Sequence, residues 1–130
     1  MKKIIAGTLL ALIGTANTAF ALSDPTGAYI STSCTYLGPN SYGCSVSFNW
    51  NDNSNDETSY EVQYSVDAGS NYTSVGLPAN STSVGGYFET SNGGCKVTLH
   101  GKVRAFNGGT ASGWNSSSFV TLPGGTVNCY

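Results

Sequence analysis

Trp50-Asn-Asp-Asn-Ser-Asn-Asp-Glu-Thr-Ser-Tyr60-Glu-Val-Gln-Tyr64-Ser-Val66 is the stretch whose reading decides the fold. Upstream of it, Cys44, Val46, Phe48 and Trp50 alternate with Ser45, Ser47 and Asn49, the period of a half-buried strand. Downstream, Tyr60, Val62, Tyr64 and Val66 alternate with Glu61, Gln63, Ser65 and Asp67 in the same way. An apolar strand that ends on a tryptophan, an acidic and amide-rich loop, and a strand that begins on a tyrosine make the crossing between the two sheets of a small sandwich.

The same period continues outward. Val97, Leu99, Val103 and Ala105 share one face with Gly101 as a gap, and Thr98, His100, Lys102 and Arg104 take the other. Weaker strands are expected over Ala28 to Tyr36, Tyr72 to Val75, Ser81 to Val84 and Ser116 to Leu122, the last expected to close the second sheet. Leu37-Gly38-Pro39-Asn40, Asn92-Gly93-Gly94 and Asn107-Gly108-Gly109 supply turn residues between them. No helical period runs beyond a turn or two. Seven short strands at this spacing predict an all-β, two-sheet sandwich.

The chain opens on Lys2 and Lys3, an apolar run from Ile4 to Ile13, and Ala19-Phe20-Ala21, the layout of a cleavable export signal over residues 1–21. The run is too short for the roughly 20 residues that span a bilayer, and no later segment of the mature chain reaches that length. The expected domain is therefore residues 22–130, secreted or periplasmic. Loss of Lys2 and Lys3 takes the formal charge from −2 to −4 and leaves Lys96, Lys102 and Arg104 as fixed cations. An acidic surface repels phosphate backbones, so nucleic acid is not an expected partner.

Cys34, Cys44, Cys95 and Cys129 form an even set behind an export signal, which predicts two disulfides. Four cysteines allow three connectivities. Cys34–Cys44 and Cys95–Cys129 are favoured because a hairpin can close each pair, worth about 3 and about 4 kcal/mol by loop closure. A structural zinc site would want C-x-x-C spacing or clustered histidines, and His100 is the sole histidine, so neither metal nor cofactor is expected.

The residues around the tryptophan resemble a fibronectin type III domain, an immunoglobulin-like sandwich. Val46 to Gly69 is similar to strands B and C of that family in its bacterial extracellular form. Lys102-Val-Arg-Ala-Phe-Asn107, with Gly109 and Ser112-Gly113-Trp114, is similar to strand F and the F–G loop. The resemblance covers roughly Asp24 to Pro123 and implies a small stand-alone exported module. The family tyrosine that packs the corner between strands E and F is here Leu99, and the link from Gly85 to Cys95 is longer and richer in glycine. The Cys95–Cys129 bridge is expected to fix that corner instead.

Chemistry-bearing clusters are few. A hydrolytic triad needs a base beside its nucleophile and a group orienting the base, whereas His100 falls on the outward face of its strand. Asp52, Asp56 and Glu57 share one loop and read as a solvated turn. As a calcium loop it fails, with Glu57 where glycine is needed and Gln63 where a bidentate glutamate is needed. His100, Lys102 and Arg104 form an outward basic stripe, and Glu61 on the neighbouring strand is expected to pair with Lys102 or Arg104, at roughly 0.2–1 kcal/mol. Trp50, Tyr60 and Tyr64 read as core. Tyr36, Tyr42, Tyr87, Phe88 and Trp114 read as exposed, although Trp114 also suits burial at the start of strand G. The expectation is a non-catalytic module that binds an extracellular protein or glycan through His100, Lys102, Arg104, Tyr87, Phe88 and Trp114. An assembly subunit is the alternative and a hydrolase a remote one. Oligomeric state and ligand identity are left open.

Overall fold

The computed structural model describes residues 22–130, and the export signal read over residues 1–21 lies outside the described residues. Nine strands follow in order: β1 (Thr26–Gly38), β2 (Ser41–Asn51), β3 (Ser59–Ser65), β4 (Thr73–Pro78), β5 (Ser83–Thr90), β6 (Thr98–Asn107), β7 (Thr110–Ala111), β8 (Asn115–Ser116) and β9 (Val120–Thr121). One sheet has the order β1-β2-β5. The other has β4-β3-β6, with β7, β8 and β9 each pairing β6. All strand pairs are antiparallel. The molecule is an all-β sandwich. Among the described residues no helix is long and apolar enough to cross a membrane.

The decisive stretch does what its pattern dictates. Trp50 ends β2 in the first sheet, and Tyr60 begins β3 in the second. Phe48, Trp50 and Tyr60 pack in succession with tilted rings, centroids 5.6 and 5.7 Å apart, and join Val62, Val103 and Ala105 in a buried cluster. The loop between them is anchored rather than solvated throughout. Asp52 Oδ1 accepts hydrogen bonds from the Tyr60 hydroxyl and the Ser54 amide, while Glu57 is buried with Oε2 accepting from the Asn80 amide. Glu57 thus departs from its expected place in a solvated turn. Its carboxylate covers the far end of the β4–β5 connection, where Asn80 takes a positive φ.

Gly101 is no neutral gap. A Cβ there would sit 2.6 Å from the Phe48 ring, so the bare backbone of β6 is what lets that ring cross the interior. Three burial expectations fail locally: Tyr64 as core, Val66 as inward and Thr98 as outward. Tyr64 is half-buried, Val66 is exposed, and Thr98 is buried beneath Thr121 and Tyr130. The alternation of β3 stops at Ser65 because the buried Ser65 hydroxyl accepts the Asp67 and Gly69 amides and turns the chain.

The expected strand from Ser116 to Leu122 is broken into β8 and β9, and the segment Gly85–Thr90, expected as a link, is strand β5. Serine explains the break. Between β8 and β9 the Gly101 amide donates to Ser117 Oγ at 3.0 Å, and upstream, between β7 and β8, the Ala105 amide donates to Ser112 Oγ at 2.9 Å. Side-chain oxygens thereby take the place of neighbouring-strand carbonyls, the local competition that hydroxyl side chains offer to sheet ladders.

Both favoured disulfides are present. Cys34 and Cys44 are direct register partners on β1 and β2, and Cys95 joins Cys129 across 34 residues. Two disulfides accord with an oxidising or extracellular location. The second ties the C-terminal segment to the approach to β6, where Gly94 and Lys96 exchange backbone hydrogen bonds with Thr126 and Val127. Leu99, standing at the corner position, is buried against Cys44 and Leu122. Replacing Cys95 and Cys129 together by serine should lower stability by up to about 4 kcal/mol in denaturant titration. Gly101→Ala should cost about 1–3 kcal/mol by overpacking Phe48. An unchanged unfolding midpoint in the double serine variant would show that the bridge does not hold this corner.

Candidate functional site

The outward face of the second sheet carries the most organised side-chain cluster among the described residues. Antiparallel register places Glu61 opposite Arg104, Gln63 opposite Lys102, and Ser65 opposite His100. Alternation on β6 therefore projects His100, Lys102 and Arg104 together. The β7–β8 connection then lays Trp114 against Lys102 and Arg104.

Trp114 is the hub. Arg104 stands over its ring at 4.3 Å from the centroid and Lys102 Nζ at 4.8 Å. Arg104 also lies 4.8 Å from the Phe106 ring centre, and Lys102 lies 4.7 Å from that of Tyr72. Ring and cation alternate as Tyr72, Lys102, Trp114, Arg104, Phe106. Each such contact is worth about 0.5–1 kcal/mol where solvent reaches it. His100 extends the column: its Nδ1 shares a 2.8 Å hydrogen bond with the Tyr72 hydroxyl, and its ring stacks on Phe119 at 4.4 Å.

The expected cross-strand ion pair forms with Arg104 and not with Lys102. Arg104 Nη2 and Nε lie 2.9 and 3.0 Å from Glu61 Oε1, while Ser74 donates to Glu61 Oε2. The Ser74 hydrogen bond, reinforced by Arg104, holds the Glu61 carboxyl below the usual range. Partial burial, and then the nearby Lys102 charge, lower His100. On the adjoining turn, hydrogen bonds from Asn71 and Ser65 hold Asp67 down to about 2. In the crossing loop, burial and then the Asp52 hydrogen bond push the Tyr60 phenol well above its ordinary range.

The structure gathers His100, Lys102, Arg104 and Trp114 but separates the other two expected contact residues from them. Tyr87 is exposed on the outward face of the opposite sheet, its hydroxyl 3.2 Å from Glu89 Oε2. Phe88 is not exposed as expected. It alternates inward with Cys44 opposite it and packs on the Cys44–Leu99–Leu122 cluster. Tyr36 is exposed, whereas Tyr42 is half-buried with its ring edge against Tyr36. Trp114 is half-buried, pinned by two cations instead of sunk into the core. Tyr72, Phe106 and Phe119 are the members that sequence reasoning missed. Tyr72 and Phe119 stand in turns whose register no period fixes; Phe106 follows the β6 alternation and was legible as outward. Asp52, Asp56 and Glu57 do not converge, and among the described residues no group of three histidine, cysteine or acidic side chains could hold a metal.

No protein-family model matches the chain, and no curated protein matches it. Among solved structures, a chain titled "Myokine structure" is similar at 11% identity and a TM-score of 0.41, covering 78% of this chain and 99% of that one.

The shifts fix two titrations. His100 should titrate below 6.5 by NMR, and Lys102→Ala should move its midpoint upward. Because the folded state favours the neutral ring, this group contributes stability above pH 6.5 that fades as pH falls toward its lowered value. Asp67 behaves as a depressed carboxylate: its contribution is present above the ordinary aspartate range and is lost as pH falls to about 2. Asp67→Asn should flatten acid unfolding in that window. A His100 midpoint at or above 6.5 would contradict the described packing.

Proposed function

We propose that the chain is an exported, non-catalytic module of the fibronectin type III kind that binds an acidic extracellular glycan through the outward face of β3, β4 and β6. The observation that carries this reading is the column Tyr72–Lys102–Trp114–Arg104–Phe106. Stacking orders five long side chains before any partner arrives, which removes much of the entropy cost of ordering them on binding. Aromatic rings offer flat apolar surface to sugar C–H faces, and the cations offer donors to carboxylates. Gln63, Ser74 and Gly76 surround the column with polar or bare backbone and no aliphatic patch, which suits a hydroxyl-rich ligand better than a protein interface core. Two of the three Lys and Arg residues of the described chain stand on this face against one carboxylate, Glu61. The sheet crossing after Trp50 and the adjacency of β3 and β6 support the family reading. The export reading rests on residues 1–21 and accords with the disulfides.

Retention on immobilised uronate-containing polysaccharide tests the proposal. Binding should weaken with added salt, and Trp114→Ala should reduce it at least tenfold while the protein remains folded. Unchanged retention in that variant, or capture of acidic proteins with no retention on any glycan, would overturn it.

A second reading, an assembly subunit, is favoured by one observation. β1 is an edge strand of 13 residues without a charge or a proline, and most of its length is exposed. Charge and proline, two of the usual devices against pairing with another chain, are missing from it, and its register irregularities lie only near its two ends. Light scattering should then show concentration-dependent oligomers that Ser33→Lys abolishes; a monomer at all concentrations would eliminate this role.

A further inference from the structure

The sandwich interior is divided. One buried cluster centres on Phe48, Trp50 and Val103, and the other on Cys44, Leu99 and Leu122. Between them lies a cleft of about 310 Å³ that draws its walls from both, with Phe48 and Val62 on one side and Val46, Phe88 and Leu99 on the other. Its mouth runs between β4 and β5, which are the edge strands of their respective sheets.

The register shows why the interior is open here. Phe48 faces Val84, Val46 faces Gly86 and Cys44 faces Phe88, so Gly86 occupies an inward position midway along β5. With no side chain at that point, Gly86 is exposed, and Val46, Tyr64, Val75, Val84 and Phe88 stay half-buried although all point inward. The glycine is not demanded by the backbone or by crowding. Its φ is not in the left-handed region, and a Cβ would meet only the Phe88 ring at 3.6 Å, an ordinary contact. A side chain could fill the gap, and none does. Unfilled apolar volume in a core is destabilising, at about 24 cal/mol per Å³.

We infer that this cleft is a binding site for the hydrocarbon tail of a small amphiphile, distinct from the Lys102–Trp114–Arg104 face and meeting it only at His100. The size argument is direct. A cavity of about 150 Å³ lined by aliphatic and aromatic side chains stays dry and takes up benzene, so twice that volume accommodates about twelve carbon atoms. The lining is mostly apolar and contains no lysine, arginine, aspartate or glutamate, its polar side chains being those of Tyr64, Ser65 and His100, so an unpaired charged group in the interior would be costly. The polar end of the amphiphile lies at the mouth, where edge strands present unpaired backbone groups to it.

Titration of the protein with 1-decanol, followed by methyl NMR, tests the inference. Saturable shifts at Val75, Val84 and Leu99 with one alcohol per chain are expected. 1,10-Decanediol, which must bury a hydroxyl, should bind at least tenfold more weakly. Gly86→Leu should weaken decanol binding at least tenfold while leaving the melting temperature unchanged or higher, and Trp114→Ala should leave decanol binding intact. Should Gly86→Leu fail to fold, Val84→Phe fills the same space and is read in the same way. Shifts that stay linear to the solubility limit, a diol that binds as tightly as the alcohol, or a folded filled variant that still binds would each overturn the assignment. So would a Trp114→Ala variant that lost decanol.

Discussion

The crossing from β2 to β3 is the constraint on which everything else depends. A chain that leaves one sheet at Trp50 must enter the other at Tyr60 with both aromatic rings inside, and the two-sheet sandwich follows from that, built here from nine strands where the spacing predicted seven. The Tyr60 hydroxyl is the only polar atom of that ring, and it reaches back to Asp52 in the loop it terminates. One hydrogen bond thus satisfies a buried phenol and fixes the span of the loop. Tyr60 pairs with Ala105 in the same ladder that sets Glu61 opposite Arg104 and Gln63 opposite Lys102, so the inward contact and the outward column share one register.

What was legible in the sequence was whatever the two-residue period could express. The inward sets of β2 and β6, the sheet crossing, the outward basic stripe and the favoured cysteine pairs all follow from alternation or hairpin proximity. Where side chains compete with the backbone, the period is silent. Ser117 breaks the last strand by accepting an amide proton of β6, as Ser112 does upstream between β7 and β8, and nothing in the alternation of Phe119, Val120 and Leu122 reveals that. Ser65 ends β3 by the same chemistry, which is why Val66 points to solvent. Glu57 looked solvated because it follows another acid, yet a single backbone donor from Asn80 draws it under the β4–β5 turn.

The candidate site was half legible for a related reason. His100, Lys102 and Arg104 belong to one strand and are found by counting. Phe106 shares that strand, but the other ring partners come from a turn after β3, a connection before β8 and a connection before β9, and only the fold brings those together. Tyr87 and Phe88 show the converse. They are adjacent in sequence and lie on opposite faces of β5, so no single contact surface holds both.

The broken final strand has a consequence for how the molecule would respond to load. Where a continuous neighbour would clamp β6 with a full row of backbone bonds, this chain uses short two-residue segments and two hydroxyls. Trp114, wedged between Lys102 and Arg104, does part of the fastening that the missing row would have done. The outward column is therefore a clasp as well as a surface. Anything that lifts the indole away unbuttons that margin of the sheet, so occupancy of the face and cohesion of the margin rise and fall together.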